Sequence, residues 1–128
     1  DLVSIIVVSY NHESFIKECL DSILAQKYNT WELIIADDAS KDGSQEKIRD
    51  WLFSNNVSAK LVLHSANQGL CKTLNECLAL ATGQFIKLFA ADDIMHPHLL
   101  YKSIKIFENE TSEVGLIYSN AYIINEIL

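Results

Sequence analysis

Two short apolar segments of this chain each run directly into a pair of aspartates. Segment 31–36 (WELIIA) precedes Asp37 and Asp38, and segment 85–91 (FIKLFAA) precedes Asp92 and Asp93. The second segment has the composition of a strand that is buried on both faces. Paired carboxylates at the end of such a strand are unfavourable unless a cation or a hydrogen-bonding ligand meets them. The pattern therefore predicts a polar ligand site at the end of a sheet.

Apolar strands that alternate with amphipathic helices define the fold class. Residues 3–10 (VSIIVVSY) form a near-continuous β-branched run, as expected of a central parallel strand. Further strands are predicted at residues 31–36, 61–64, 85–90 and 115–124, with a helical pattern between each pair. The order β-α-β-α-β-α-β-α-β predicts an α/β fold, a doubly wound and mainly parallel sheet with helices on both faces, in one Rossmann-like domain over residues 1–128.

Composition excludes several classes of protein. The net charge of −7 argues against a surface that binds nucleic acid. No apolar run approaches the roughly 20 residues of a membrane span, and no secretory signal is evident. The three cysteines form no CxxC pair and are predicted to be buried, reduced thiols, which favours a cytoplasmic location.

The polar residues that follow the strands are predicted to be neighbours, because parallel strands place their carboxyl ends on one edge of the sheet. These residues are Tyr10 and Asn11, Asp37 and Asp38, Asn67 to Gly69, and Asp92 and Asp93. A single acidic pair after a strand is explained equally well as a helix cap or as part of a ligand site. Two pairs, an aromatic-Asn dipeptide and an Asn-x-Gly loop on the same rim indicate a polar ligand site.

Residue type suggests a role for several of these positions. Tyr10 offers a flat face for a nucleobase, unless it is a half-buried core residue. Asp38 can accept a hydrogen bond from a base N–H, or it caps the turn that follows it. Gly69 lets the backbone approach a ligand, or only connects a loop to a helix. Lys72 can neutralise a phosphate, or is a solvated helix residue.

Asp93 is the predicted ligand of a hard divalent cation shared with a substrate phosphate, because the second acid lies further beyond the strand end. Asp92 would then reach sugar hydroxyls, or the metal through water. The alternative is a solvated acidic loop. His64, His96 and His98 are predicted to be strand-end, loop and helix-start residues rather than ligands.

Other nucleotide and hydrolase motifs do not occur in the chain. No GxGxxG follows the first strand, and neither GxxxxGK[ST] nor GxSxG is present. A divalent-metal phosphatase or a nucleotidyltransferase on a similar sheet is disfavoured, because residues 9–12 (SYNH) replace the Gly-rich, basic loop expected after the first strand.

Six ordered motifs together resemble family-two glycosyltransferases of the GT-A fold. They are VSIIVVSYN, SILAQ, WELIIADDAS-KDGS, NQGL-x3-LN, ATGQFIKLFAADD and GLIYSNAYI, and they extend across nearly the whole chain. The resemblance implies transfer of a sugar, with inversion, from a nucleotide-sugar donor, usually a UDP-sugar, to a hydroxyl of a saccharide or lipid-linked acceptor. It also implies polysaccharide or glycoconjugate assembly at a cytoplasmic membrane face.

The resemblance assigns roles residue by residue. It places donor-base contacts at Tyr10 and Asp38, with Val8, Ser9 and Asp37 at the edge of that pocket. The resemblance adds to the donor site the loop with Asn67 and Gly69, and Lys72 as the candidate for the basic residue that many members carry on the next helix. It also places the Asp-x-Asp motif, in its Asp-Asp form, at Asp92 and Asp93. The second of these two acids implies Mn2+ or Mg2+ as cofactor.

The general base of the family is a carboxylate well downstream of the Asp-Asp motif, and it is expected beyond Leu128. The chain is therefore expected to be the donor-binding half of a GT-A domain, truncated at the C-terminus, which transfers sugar poorly or not at all alone. Asn120 stands where many relatives have an acid. The alternative from another class is a non-catalytic nucleotide- or sugar-binding module that retains the fold.

Overall fold

The structure is a computed structural model that describes residues 1–110 and 112–124. Within these residues, strands and helices alternate as β1 (Val3–Ser9), α1 (Ile16–Leu24), β2 (Trp31–Asp37), α2 (Ser44–Ser54), β3 (Lys60–Leu63), α3 (Leu70–Leu80), β4 (Phe85–Ala90) and α4 (Leu99–Asn109). All paired strands are parallel, in the order β3-β2-β1-β4. The predicted doubly wound α/β fold is confirmed.

Helices cover both faces of the sheet, and the alternation along β1 shows which helices lie on which face. Val3, Ile5 and Val7 belong to the larger core, to which α1, α2 and α4 contribute buried side chains. Ile6 belongs to a smaller core on the other face, which Cys77 of α3 completes. β1 and β2 are therefore almost wholly buried, as expected of central parallel strands.

β4 is an edge strand, and the prediction that it is buried on both faces is wrong. Phe85 and Phe89 pack against the larger core. Ile86 and Leu88 point to the opposite face, where they are 44% and 49% exposed. The reason is the position of α3, which packs chiefly over β1, β2 and β3 and leaves this face of β4 uncovered.

The predicted fifth strand over residues 115–124 is also wrong. This segment has no strand pairing, and Tyr118 and Tyr122 are 91% and 97% exposed. An apolar, β-branched sequence forms a strand only where a neighbouring strand and a packed face stabilise it. Residues 114–119 instead border a groove of about 700 Å³ beside β4 and α4.

Two of the three cysteines are buried as predicted, and the third is not. Burial raises the pKa of the Cys19 thiol to about 12 and that of Cys77 to about 11, so both remain neutral and unreactive. Cys71 is exposed on α3, because it lies on the side of the helix away from Cys77.

Among the residues that the structure describes, none of the helices combines the length and the apolar character needed to span a bilayer.

Glu32 on β2 joins several elements at the amino ends of the strands. Its carboxylate accepts hydrogen bonds from Ser4 Oγ (2.6 Å), Lys60 Nζ (2.8 Å) and the Thr82 N–H (2.6 Å). Burial favours a raised pKa, but the hydrogen bonds from Lys60, Ser4 and Thr82 outweigh it and lower the pKa of Glu32 to about 2. The carboxylate therefore stabilises the fold in its charged form.

We expect Glu32→Gln to lower the free energy of unfolding at neutral pH by about 1–3 kcal/mol. Because the pKa of Glu32 is lower in the folded chain than its ordinary 4.5, the stabilisation is complete above that value and is lost as the pH falls towards 2. Urea denaturation at neutral and acidic pH measures both effects. Glu46→Gln, a change at an exposed acid, is the control. Equal unfolding midpoints for the two variants at both pH values would contradict the prediction.

Candidate functional site

Hydrogen bonds join the loops that follow β1 and β2 on the carboxyl edge of the sheet. The Asn11 N–H donates to Ser40 Oγ (2.8 Å), and the Lys41 N–H donates to Asn11 Oδ1 (2.8 Å). Asn11 has a φ of 54°, a left-handed conformation that asparagine adopts more readily than most residues. The loop that begins at Tyr10 is thus fixed against the loop that contains Asp37 and Asp38.

Asp37 is fully buried and shapes the turn between β2 and α2. Its Oδ1 accepts hydrogen bonds from the Ser40 N–H and from Gln45 Nε2, both at 2.8 Å. The Ser40 hydroxyl donates to Oδ2 at 2.5 Å. This carboxylate is therefore engaged by its own turn, and its place at the edge of a donor pocket stays a prediction.

Asp38 points the other way and organises the loop that precedes α3. The Gln68 N–H donates to Oδ1 (2.7 Å) and the Gly69 N–H donates to Oδ2 (2.9 Å). Burial favours a raised pKa, but the hydrogen bonds from Gln68, His64 and Gly69 outweigh it and leave the pKa of Asp38 below its ordinary 3.8. Because a carboxylate oxygen has two lone pairs, Oδ2 retains one for a further donor.

His64 and Glu76 take part in this network, and the sequence reasoning missed the link. His64 Nδ1 lies 2.8 Å from Asp38 Oδ1, and its Nε2 lies 2.7 Å from Glu76 Oε2. His64 was predicted as the last residue of the third strand and lies directly after β3, so its place on the rim was foreseeable. Its two partners were not, because they lie 26 and 12 residues away in the chain.

Gly69 is the N-cap residue directly before α3, and its backbone conformation is essentially restricted to glycine. Its φ is 87° and its ψ is 157°. A Cβ built at this position would meet no atom within 4 Å, so conformation and not crowding requires the glycine, and the space beside it is open. Asn67 Nδ2 donates to the Asp38 carbonyl at 3.3 Å and braces the same loop.

Lys72 lies one turn into α3 and is exposed. Its Nζ donates to Gln68 Oε1 at 2.6 Å, which places the ammonium group beside the loop that Asp38 organises. A cation in this position can meet a phosphate that approaches the loop.

Asp92 and Asp93 lie in an exposed turn after β4. The Asp93 N–H donates to the Ala90 carbonyl (3.1 Å), and Asp92 Oδ2 lies 3.9 Å from His12 Nε2. Across residues 1–110 and 112–124, no group of three or more His, Cys, Asp or Glu side chains could hold a metal ion alone. Mg2+-type ions are commonly held by one or two carboxylates together with substrate phosphates, and the exposed pair fits that mode of binding.

A groove of about 360 Å³ extends along the rim between the ends of β1 and β4. It is lined by Val8, Tyr10, His12, Leu70, Leu74, Leu88, Phe89 and Ala90. The Tyr10 side chain at its border is 42% exposed. The buried Ser9 Oγ has no hydrogen-bond partner within the part of the chain described. Ser9 does not line the groove, because successive residues of a strand point to opposite faces and Val8 and Tyr10 line it.

The structure therefore brings most of the predicted residues into one connected rim. Hydrogen bonds connect one part of this rim, and the groove adds Val8 and Tyr10 to it. The hydrogen-bonded residues are Asn67, Gly69, Lys72, Asp38 and His64. Asp92 is linked to this rim through His12 at 3.9 Å. His96 and His98 lie in the following loop and at the start of α4, as predicted.

Comparison with known proteins gives consistent matches along the chain. The model of the family described as Glycosyl transferase family 2 matches residues 4–126. EpsE of Bacillus subtilis is 38% identical over 106 residues, which are 83% of this chain and 38% of EpsE. The Escherichia coli protein WfgD, named as a UDP-Glc:alpha-D-GlcNAc-diphosphoundecaprenol beta-1,3-glucosyltransferase, is 34% identical over 124 residues, 97% of this chain and 47% of WfgD.

The fold is also similar to solved structures. Mannosyltransferase PcManGT from Pyrobaculum calidifontis, in complex with GDP-Man and Mn2+, superposes with a TM-score of 0.75 at 31% identity. That match covers 80% of this chain and 31% of PcManGT. The chain spans about a third to a half of the length of the relatives that it matches.

Proposed function

Because the chain belongs to glycosyl transferase family 2, we propose that it forms the donor-binding portion of a metal-assisted GT-A glycosyltransferase domain. The full-length protein transfers a sugar from a UDP-sugar, with inversion, to a hydroxyl of a saccharide or lipid-linked acceptor. The observation that carries the proposal is the rim: Asp38 organises the loop before α3, while Asp92 and Asp93 stay open to solvent on the same edge.

The nucleobase occupies the part of the rim between Tyr10 and Asp38. The exposed Tyr10 ring offers a stacking surface, and stacking of a base on an aromatic side chain is worth about 1–3 kcal/mol. The remaining lone pair of Asp38 Oδ2 accepts the hydrogen bond of a base N–H. Val8 lines the groove beside Tyr10. Ser9 is assigned to the edge of this pocket by the family resemblance alone, because its buried hydroxyl does not line the groove.

The diphosphate lies towards the end of β4. Asp93 is the metal ligand in this proposal, Asp92 reaches the sugar or a metal-bound water, and Lys72 faces the phosphates from α3. When bound, Mn2+ or Mg2+ stabilises the negative charge that develops on the leaving diphosphate. The presence of Mn2+ in the PcManGT complex supports the choice of a divalent metal.

In this proposal none of the four aspartates of the rim serves as the general base, so transfer by this part alone is expected to be poor or absent. A base must be free to take a proton from the acceptor hydroxyl. Asp37 and Asp38 are engaged in hydrogen bonds, and Asp92 and Asp93 are assigned to donor and metal. A cytoplasmic location at a membrane face, and a role in polysaccharide assembly, stay predictions.

The nucleotide is the part of the proposal that calorimetry tests most directly. WfgD is named for a UDP-sugar and PcManGT binds GDP-Man, so the family relatives alone leave the base open. We expect UDP to bind in Mn2+ about 10-fold or more tightly than without metal, because the cation offsets the charge of the diphosphate. GDP under the same conditions is the comparison.

Two results would speak against parts of this proposal. Binding of neither nucleotide, with or without Mn2+, would contradict a donor site in this chain. Tighter binding of GDP than of UDP would retain the donor site and overturn the choice of uracil as the base.

A further inference from the structure

His64, which follows β3, bridges two carboxylates across the rim. Its Nδ1 lies 2.8 Å from Asp38 Oδ1 and its Nε2 lies 2.7 Å from Glu76 Oε2. A neutral imidazole donates from only one ring nitrogen and would present a lone pair to the second carboxylate. Both contacts are favourable only when His64 is an imidazolium that donates from each nitrogen.

The surroundings of His64 favour that charged form. The hydrogen bonds to Asp38 and then to Glu76 raise the pKa of His64 above its ordinary 6.5, against the effect of burial. The titratable groups on the adjoining elements are Asp37 at the end of β2, Asp38 directly after it, and Glu76 and Lys72 of α3, while α2 contributes the neutral Gln45. Asp37 is bonded to Ser40 and Gln45, and Lys72 to Gln68, so Asp38 and Glu76 are the charges in direct contact.

We propose, on the basis of the donor site described above, that His64 is a positioning residue whose imidazolium holds Asp38 and the loop at residues 67–69 in the geometry that receives the nucleobase. Asp38 also accepts the Gln68 and Gly69 N–H groups, so one carboxylate links this loop, β2 and His64. Glu76 extends the link to the body of α3.

Deprotonation of His64 breaks one of its two contacts, and exposure decides which. The Glu76 side chain is 39% exposed and can turn to water, whereas that of Asp38 is 7% exposed and remains bonded to the loop. When the proton leaves to solvent, the link from the rim to α3 is therefore lost. The stabilisation by this link is complete below the ordinary histidine pKa and disappears as the pH rises through the raised pKa of folded His64.

The test combines UDP calorimetry in Mn2+ with NMR titration of the His64 imidazole, both on the whole chain from about pH 6 to about pH 9. We expect the affinity of the unmodified protein to fall about 10-fold as His64 loses its proton, the equivalent of one hydrogen bond. In Glu76→Gln, which removes one negative partner, the His64 pKa should fall. The fall in affinity should then move to lower pH by the same amount.

A second variant separates the effect of His64 from titration of UDP itself. His64→Gln keeps a neutral donor, so its profile should retain only the pH dependence that belongs to UDP. Asp50→Asn changes an exposed acid on α2 and should leave both the affinity and its pH profile as in the unmodified protein.

The outcomes distinguish this proposal from the one on which it rests. Positioning by His64 is overturned if Glu76→Gln moves the His64 pKa while the UDP profile stays in place, or if His64→Gln retains the full fall in affinity. Absence of UDP binding by the unmodified protein at every pH overturns the donor site itself. If His64→Gln does not fold, the comparison with Glu76→Gln still decides, because Glu76 is well exposed.

Discussion

Replacing Asp93 with asparagine is expected to remove the metal dependence of UDP binding. Asparagine keeps the size of the side chain and the turn in which the Asp93 N–H donates to Ala90, but it removes the negative charge that a hard divalent cation prefers. Loss of an outer-shell partner typically weakens metal affinity 10- to 100-fold, and loss of a direct ligand should cost at least as much. We expect UDP affinity in Mn2+ to fall by about 10-fold or more, to the level measured without metal.

Matched variants identify which acid is responsible. Asp92→Asn alters the neighbouring acid, which lies 3.9 Å from His12. It should weaken binding less than Asp93→Asn, because in the proposal Asp92 reaches the sugar or a metal-bound water and is not the direct ligand. Asp50→Asn removes an equal charge from α2 and should change nothing. Without metal, all three variants should match the unmodified protein. Metal-dependent binding that survives in Asp93→Asn and is lost in Asp92→Asn would transfer the role of ligand to Asp92.

The central strands were predictable because the apolar residues within each segment are enough to indicate that it is buried. β1 and β2 are continuous apolar runs, and a parallel sheet with helices on both faces buries such runs entirely. β4 has a similar composition, yet one of its faces is exposed, because α3 packs over its neighbours. Which strand a helix covers depends on the topology of the whole sheet, and a single segment does not contain that information.

Within the site, the two neighbouring acids at the end of β2 also have contacts that the sequence of their own segment does not reveal. The family resemblance places both acids at one base-binding pocket, yet their surroundings differ. The sequence does not predict that Asp37 binds Ser40 and Gln45, or that Asp38 binds the loop before α3. The partners of Asp37 lie 3 and 8 residues away, whereas Gln68, which Asp38 contacts, lies 30 residues away and is brought near only by packing of the loops. The contact of His64 with Glu76, 12 residues further along the chain, was missed for the same reason.

Replacing Asp38 with alanine is expected to destabilise the fold as well as the donor site. The change leaves the N–H groups of Gln68 and Gly69 without their carboxylate acceptor, and it leaves the His64 imidazolium with Glu76 alone. Removal of one partner from a buried ion pair commonly costs about 3–5 kcal/mol. We expect a loss of about 3 kcal/mol in the free energy of unfolding, measured by urea denaturation at neutral pH, and loss of detectable UDP binding.

Comparison with a conservative variant separates stability from recognition. Asp38→Asn keeps one acceptor oxygen and should lose less stability than Asp38→Ala, but it removes the charge that His64 contacts. Because the pKa of Asp38 is lowered in the folded chain, the difference between the unmodified protein and Asp38→Asn should be complete above about pH 4 and should vanish as the pH falls through that lowered pKa. An Asp38→Ala protein as stable as Asp50→Ala would show that the loop before α3 holds its shape without this carboxylate.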